Sequence, residues 1–219
     1  MSAAVGRREV CLGLLGLGVT SISLKMKING APSVRPFCRY SLRDGWNDDS
    51  TDTAQYITYK AGPNDRSGVP QVVNRIRQVL SITPAFDIYI AEAENNAYAT
   101  VSNGRKVLVV DVDFLDKVNR MVGTQWSAIQ VIAHEVGHHI AGFGPDRHRG
   151  ELNADYWSGQ ALQRLGAAEQ ASKRAILTVG TEFDTTTHPN KYKRADTIGH
   201  GWEDAAQGKI DYSFCLDCR

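Results

Sequence analysis

His134-Glu135-Val136-Gly137-His138 sets two imidazoles four residues apart inside an apolar helical pattern formed by Ile129, Ile132, Ala133, Val136 and Ile140. Four residues make slightly more than one helical turn, so both rings leave the same face and can share one metal ion. Nitrogen donors of this kind suit zinc, and a catalytic zinc site adds a third protein ligand while keeping one position for water. Glu135 leaves the helix about 100° around from His134. A carboxylate placed there can accept the proton that a metal-activated water gives up.

The third ligand has to come from elsewhere, because no further histidine follows at the spacing H-E-x-x-H-x-x-G-x-x-H. Gly142-Phe143-Gly144-Pro145 stops the first helix sharply, since Pro cannot continue it and Gly readily takes the turn. Glu151-Leu152-Asn153-Ala154-Asp155 then opens the next helix, from which Glu151 can reach back to the metal. Asp155, one turn on, faces the same way and can accept the second N–H of a ligating imidazole, fixing its tautomer and orientation. His148 is the alternative third ligand, because a site of three histidines is equally good zinc chemistry. His139 reads as structural or exposed, and His200, in Gly199-His200-Gly201-Trp202, as a turn residue.

The elements that must carry these side chains are legible from periodicity. Val69, Val72, Val73, Ile76, Val79 and Leu80 fall on one helical face, with Pro70 suited to the first turn. Phe86 to Ala91, Ala97 to Val101 and Lys106 to Asp111 have the length and composition of short strands. Asn103-Gly104 between the last two is a hairpin signal. After Asp111 the pattern is helical throughout: Val112 to Val122, Gln125 to Ala141, Glu151 to Leu165, Ala167 to Val179 and Lys191 to Gln207. The expected class is α+β, a small antiparallel sheet packed on a mostly helical, zincin-like body.

Four segments in order resemble the gluzincin peptidases that include the CAAX prenyl proteases, the HtpX heat-shock protease and the mitochondrial Oma proteases. Asn96-Ala97-Tyr98-Ala99 is similar to that family's N-A-[FY]-A edge segment. Val131 to His138 resembles its V-x-x-H-E-x-x-H helix, and Glu151 to Asp155 its E-x-x-A-D helix. Thr187-His188-Pro189, with Arg194 six positions after the His, resembles its T-H-P…R segment. The His138-His139 pair followed by E-x-x-A-D is similar to the bacterial neutral zinc metallopeptidases as well. The resemblance implies a zinc endopeptidase in which His188 hydrogen-bonds the developing oxyanion and Arg194 supports it. It also implies that the backbone of Asn96, Ala97, Tyr98 and Ala99 receives an extended polypeptide substrate as an added strand. The multi-span membrane helices of the prenyl proteases and of HtpX have no counterpart here. A non-catalytic zinc module that holds peptides is the rival expectation.

Composition bounds the rest. The 219 residues carry 25 basic and 24 acidic side chains, a net +1 that gives no reason to expect nucleic acid as partner. Apolar stretches stay short of a membrane-spanning helix. Residues 1–30 read as an export signal: Arg7 and Arg8 precede an apolar, glycine-rich run from Val10 to Leu24, similar to a twin-arginine signal, which implies a periplasmic or secreted protein. Residues 31–68 form an irregular lead-in rich in Pro, Asp, Ser and Gly, and residues 69–219 the metallopeptidase domain. Of four cysteines, Cys215-x-x-Cys218 could be half a zinc site, a redox pair or disulfide material; an oxidised structural role, tying Cys38 to the tail, is the expectation after export. Purified protein should hold about one zinc per chain, lost in His134→Ala and in His138→Ala. Full metal content in both variants would refute the ligand assignment.

Overall fold

The computed structural model describes residues 57–83, 86–92 and 95–215; residues 1–30, read as an export signal, and Cys11, Cys38 and Cys218 lie outside these residues. Strands β1 (Ile57–Lys60), β2 (Asp87–Ala91), β3 (Ala97–Ser102) and β4 (Arg105–Asp111) form one sheet in the order β1-β2-β4-β3. The β3–β4 hairpin closes through Asn103 (φ 50°) and Gly104 (φ 74°), the two left-handed positions of a type I′ turn. That tight reversal makes β4 antiparallel to β3 and lays it beside β2, to which it runs parallel, Asp87 to Ala91 aligning with Val107 to Asp111. The α+β class holds, but the sheet is mixed where an antiparallel one was expected. β1 is also new: it lies inside the stretch read as an irregular lead-in and pairs antiparallel with β2. Only Ile57 of its four residues is buried, so it has no periodicity to read.

Among the described residues six helices follow the expected course: α1 (Val69–Val79), α2 (Val112–Val122), α3 (Trp126–Ala141), α4 (Arg147–Arg164), α5 (Glu169–Val179) and α6 (Lys191–Ala206). Asp111 ends β4 and caps α2, its side chain accepting from Phe114 N–H at 3.2 Å. Gly142 (φ 81°) stops α3 in a conformation that other residues rarely adopt. The Asp146 side chain accepts from Arg149 N–H at 3.1 Å, so α4 starts a turn earlier than expected and Glu151 sits in its second turn. His200, read as a turn residue, lies within α6. Ile88, Ile90, Ala97, Ala99, Leu108 and Val110 turn one face of the sheet toward the helices, where they share a core with Val73, Ile76, Phe114, Val118, Val131, Ile132 and Val136. No helix among the described residues is long and apolar enough to cross a membrane.

Two glycines let the helices that carry the site come together. A Cβ at Gly137 of α3 would lie 2.6 Å from the Ala154 carbonyl oxygen of α4. A Cβ at Gly201 of α6 would lie 2.0 Å from the Tyr156 carbonyl oxygen of the same helix. Backbone cannot yield as a flexible side chain does, so these contacts set the interhelical distances. Gly137→Ala should therefore destabilise the fold by about 1–3 kcal/mol. Gly150, in the same helix as Ala154 but with open space around it, is the control: Gly150→Ala should be neutral or stabilise by up to about 1 kcal/mol. Denaturant unfolding of both variants checks this, and equal midpoints would contradict the packing account.

Candidate metal centre

The helical face of α3 that bears His134 and His138 meets α4 in antiparallel register, His138 against Glu151 and His134 against Asp155. His134 Nε2 lies 3.3 Å from Glu151 Oε2, and His138 Nε2 lies 3.5 Å from Glu151 Oε1. One donor atom from each of these three side chains falls within 4.8 Å of the others, and all three residues are buried. The two rings meet edge to face, with centroids 4.7 Å apart. His138 Nε2 and Glu151 Oε2 have no hydrogen-bond partner among the described residues. Buried lone pairs left in this state are costly unless something satisfies them. Two imidazoles and one carboxylate converging on a point form a donor set that could hold a metal ion and is compatible with zinc.

Electrostatics follow from burial and from the partners each group finds. Burial opposes a charge on His134, but Asp155 Oδ1 at 2.8 Å from Nδ1, together with Glu151, outweighs it and lifts the imidazole to about 9. His138 has no comparable partner, and burial lowers it to about 3. Glu151 stays well below the usual carboxylate range despite burial, because His188, His134, His138 and Arg194 surround it. Glu135, at 1% exposure, is pushed up to about 8 by burial, with the negative charge of Glu151 adding to the shift. Ala99 N–H approaches its carboxylate, yet neither oxygen reaches hydrogen-bond geometry with any described residue.

The two residues expected from the T-H-P…R segment also arrive here. The loop before α6 is tied by Thr185, whose Oγ1 accepts from His188 N–H at 2.9 Å and whose N–H donates to the His188 carbonyl at 2.8 Å. His188 Nδ1 is 2.7 Å from Thr187 Oγ1, and Nε2 is 3.5 Å from Glu151 Oε2. Burial drops this ring to about 4, so it is neutral near pH 7. Arg194, 2% exposed, does something its motif does not announce. Its Nε donates to Asp155 Oδ2 at 2.7 Å and its Nη2 to Asp155 Oδ1 at 3.0 Å, with Glu151 Oε2 at 3.4 Å. The fork clamps the carboxylate that orients His134.

His148, weighed as a substitute ligand, stands apart from the donor set: its Nε2 is 2.7 Å from the Thr185 carbonyl, tying α4 to the His188 loop. His139 is buried, its Nε2 2.9 Å from the Val107 carbonyl of β4, and Phe143 stacks on His138 with centroids 6.2 Å apart. Nothing in the sequence marked Thr185, His148 or Phe143 as supports, because their partners are remote in the chain. Among the described residues β3 lies at one end of the sheet; it contains Ala97, Tyr98 and Ala99 of the segment singled out by the resemblance, and Asn96 precedes it. Asp111 N–H donates to the Asn96 carbonyl, and the two-residue hairpin pairs Ser102 with Arg105. By alternation, the backbone groups of Ala97, Ala99 and Val101 point away from β4. Cys215, the cysteine within the described residues, is disulfide-bonded.

No family model matches the chain, and no curated protein or solved structure is significantly similar to it. The likeness to gluzincins is carried by the four motifs alone.

Replacing Arg194 removes the guanidinium fork and leaves the buried Asp155 carboxylate with His134 alone of the two partners described above. Arg194→Met should cost about 3–5 kcal/mol of stability and weaken metal binding roughly 10–100-fold through the loosened His134. Unfolding curves and competitive metal titration read the two effects. A variant matching the parent in both would show that Asp155 is held by other means.

Proposed function

We propose that the protein is a zinc-dependent endopeptidase. The observation that carries this reading is the pairing of a buried His134–His138–Glu151 donor set with a carboxylate, Glu135, that is equally buried and has no hydrogen-bond partner among the described residues. A structural metal site needs no such group. A zinc ion held by His134, His138 and Glu151 supplies Lewis acidity toward a peptide carbonyl and toward water. Glu135 takes the proton of the attacking water and passes it to the leaving amine. Burial raises its proton affinity above that of a solvated glutamate, which favours taking up the proton. His188, neutral and with Nδ1 beside the Thr187 hydroxyl, can present Nε2–H to the oxyanion that develops on the carbonyl. Arg194 acts at one remove, by positioning Asp155 and hence His134.

The substrate is an extended polypeptide. The outward backbone groups of Ala97, Ala99 and Val101 can receive a strand along the β3 edge, and the approach of Ala99 to Glu135 brings that strand to the reacting carboxylate. Export is proposed from the N-terminal run, in which Arg7 and Arg8 precede a short apolar stretch.

Peptide-mixture digests followed by mass spectrometry test the reading. Glu135→Gln should keep its metal and its unfolding curve while losing turnover by about 10²–10⁴-fold. His188→Ala should lower kcat by roughly 10²–10³-fold with KM little changed. If wild type and Glu135→Gln bind peptides equally and neither cleaves, the protein is a peptide-holding module. Turnover unchanged by Glu135→Gln would place the chemistry elsewhere.

A further inference from the structure

Glu135 and His139 stand one helical turn apart on α3, about 6 Å along its axis, as His134 and His138 do. His134 and His138 face α4, whereas Glu135 and His139 face the sheet. Ala99 N–H of β3 approaches the Glu135 carboxylate, and His139 Nε2 lies 2.9 Å from the Val107 carbonyl of β4. Ala99 pairs with Leu108, the neighbour of Val107. Helix and hairpin therefore meet at two points, whose separation along α3 is close to the ~4.8 Å between adjacent strands.

His139 is buried, with the Phe86 ring stacked on it at 5.1 Å and the Phe143 ring edge-on at 5.4 Å between centroids. A carbonyl oxygen only accepts, so Nε2 carries the hydrogen and donates it to Val107. Nδ1 has no hydrogen-bond partner among the described residues. An apolar side chain filling the space between two phenyl rings would leave no bare nitrogen there; the imidazole offsets that penalty with one directed bond to the strand. The backbone of the same residue adds a second tie. The His139 carbonyl, in the last turn of α3 where carbonyls lack helical partners, accepts from Lys106 Nζ at 2.7 Å. Two consecutive residues of β4 are thus fastened to one residue of α3.

We infer that His139 is a positioning residue, holding the β3–β4 hairpin where an extended chain laid along β3 reaches Glu135 and the donor set. Its consequence for catalysis rests on the peptidase reading; the anchoring of the hairpin does not. Apolar packing of Ala97, Ala99 and Leu108 on Val131 and Val136 sets the separation of sheet and helix, but it is non-directional and does not set their register. The hydrogen bond from Nε2 does. Without it the hairpin keeps its strand pairing and loses a directed link to α3. A chain bound along β3 then lies displaced from Glu135, and about 1 Å of misplacement is enough to cost roughly 10²-fold in rate. Binding along the strand depends on backbone hydrogen bonds, which the displacement leaves in place. His139 therefore controls kcat and leaves KM nearly untouched.

Two amides of different length test the bond in the full chain. Glutamine can set its side-chain N–H near the place of the imidazole Nε2–H, whereas asparagine, one methylene shorter, falls short of Val107. Toward a peptide that the parent chain cleaves, His139→Asn should lower kcat about 10–100-fold, with KM and zinc affinity within about threefold of the parent. His139→Gln should recover most of that loss. Amide exchange over 97–111 should be about tenfold faster in His139→Asn than in His139→Gln, with 126–134 of α3 alike in both. An unchanged kcat in His139→Asn, an equal loss in the two variants, or exchange that quickens equally in both segments overturns the inference. If the parent chain cleaves nothing, the peptidase reading fails, and the exchange comparison alone decides whether His139 anchors the hairpin. Should His139→Asn not fold, His139→Met, which keeps bulk against Phe86 and lacks the donor, takes its place in both measurements.

Discussion

Asp155 sits at 0% exposure between His134 of α3 and Arg194 of α6, with hydrogen bonds to both. An isolated carboxylate could not stay ionised there; the cost of removing it from water would be several kcal/mol. The guanidinium fork and the imidazole repay that cost only while all three helices keep their places. The position of each helix is thereby coupled to the other two through one charge. Glu151, a turn earlier on α4, shares Arg194 and His134 with Asp155. Two carboxylates and one arginine leave a negative balance that favours a cation, whether a proton on His134 or a metal ion at the donor set.

Such a network tolerates little slack, and the backbone supplies the required closeness. Gly137 brings α3 against Ala154, the residue next to Asp155, and Gly201 brings α6 against Tyr156 on its other side. The approach of backbones and the pairing of charges therefore occur at the same level of α4. Either one alone would leave the helices free to slide past each other. Together they fix His134 to a degree that matters for metal binding, where a ligand's orientation is set by what lies behind it.

Legibility in the sequence follows how local each cause is. The face shared by His134 and His138 depends only on helical spacing, and Asp155 behind His134 follows from one more turn of a neighbouring helix; both could be read. The α+β class was also readable, since strand-length runs before Asp111 give way to helical periodicity after it. The parallel pairing of β2 with β4 was not, because strand order depends on which side of β4 the hairpin folds, and no residue encodes that alone. β1 escaped notice for lack of alternation in four residues with one buried side chain. The first turn of α4 was lost because Asp146, its cap, stands among Gly and Pro residues that resemble a continuing loop. Arg194 stood out only through the resemblance of its segment to T-H-P…R, and its partner, Asp155, lies in another helix.

Glu135 is where these constraints meet chemistry. Its carboxylate is buried without a hydrogen bond among the described residues, an arrangement that lowers stability and that a protein built for stability alone would replace with an apolar side chain. Burial there raises the energy of the charged form and so makes the group a stronger proton acceptor than a solvated glutamate. The same low dielectric strengthens its coupling to any positive charge at the donor set, and such a charge would draw its pKa back down. Proton affinity at Glu135 would then depend on occupancy of the metal centre. That dependence is useful to a proton-transferring residue and has no value in a purely structural site, which is why the unpartnered carboxylate supports the peptidase reading more directly than the donor set itself.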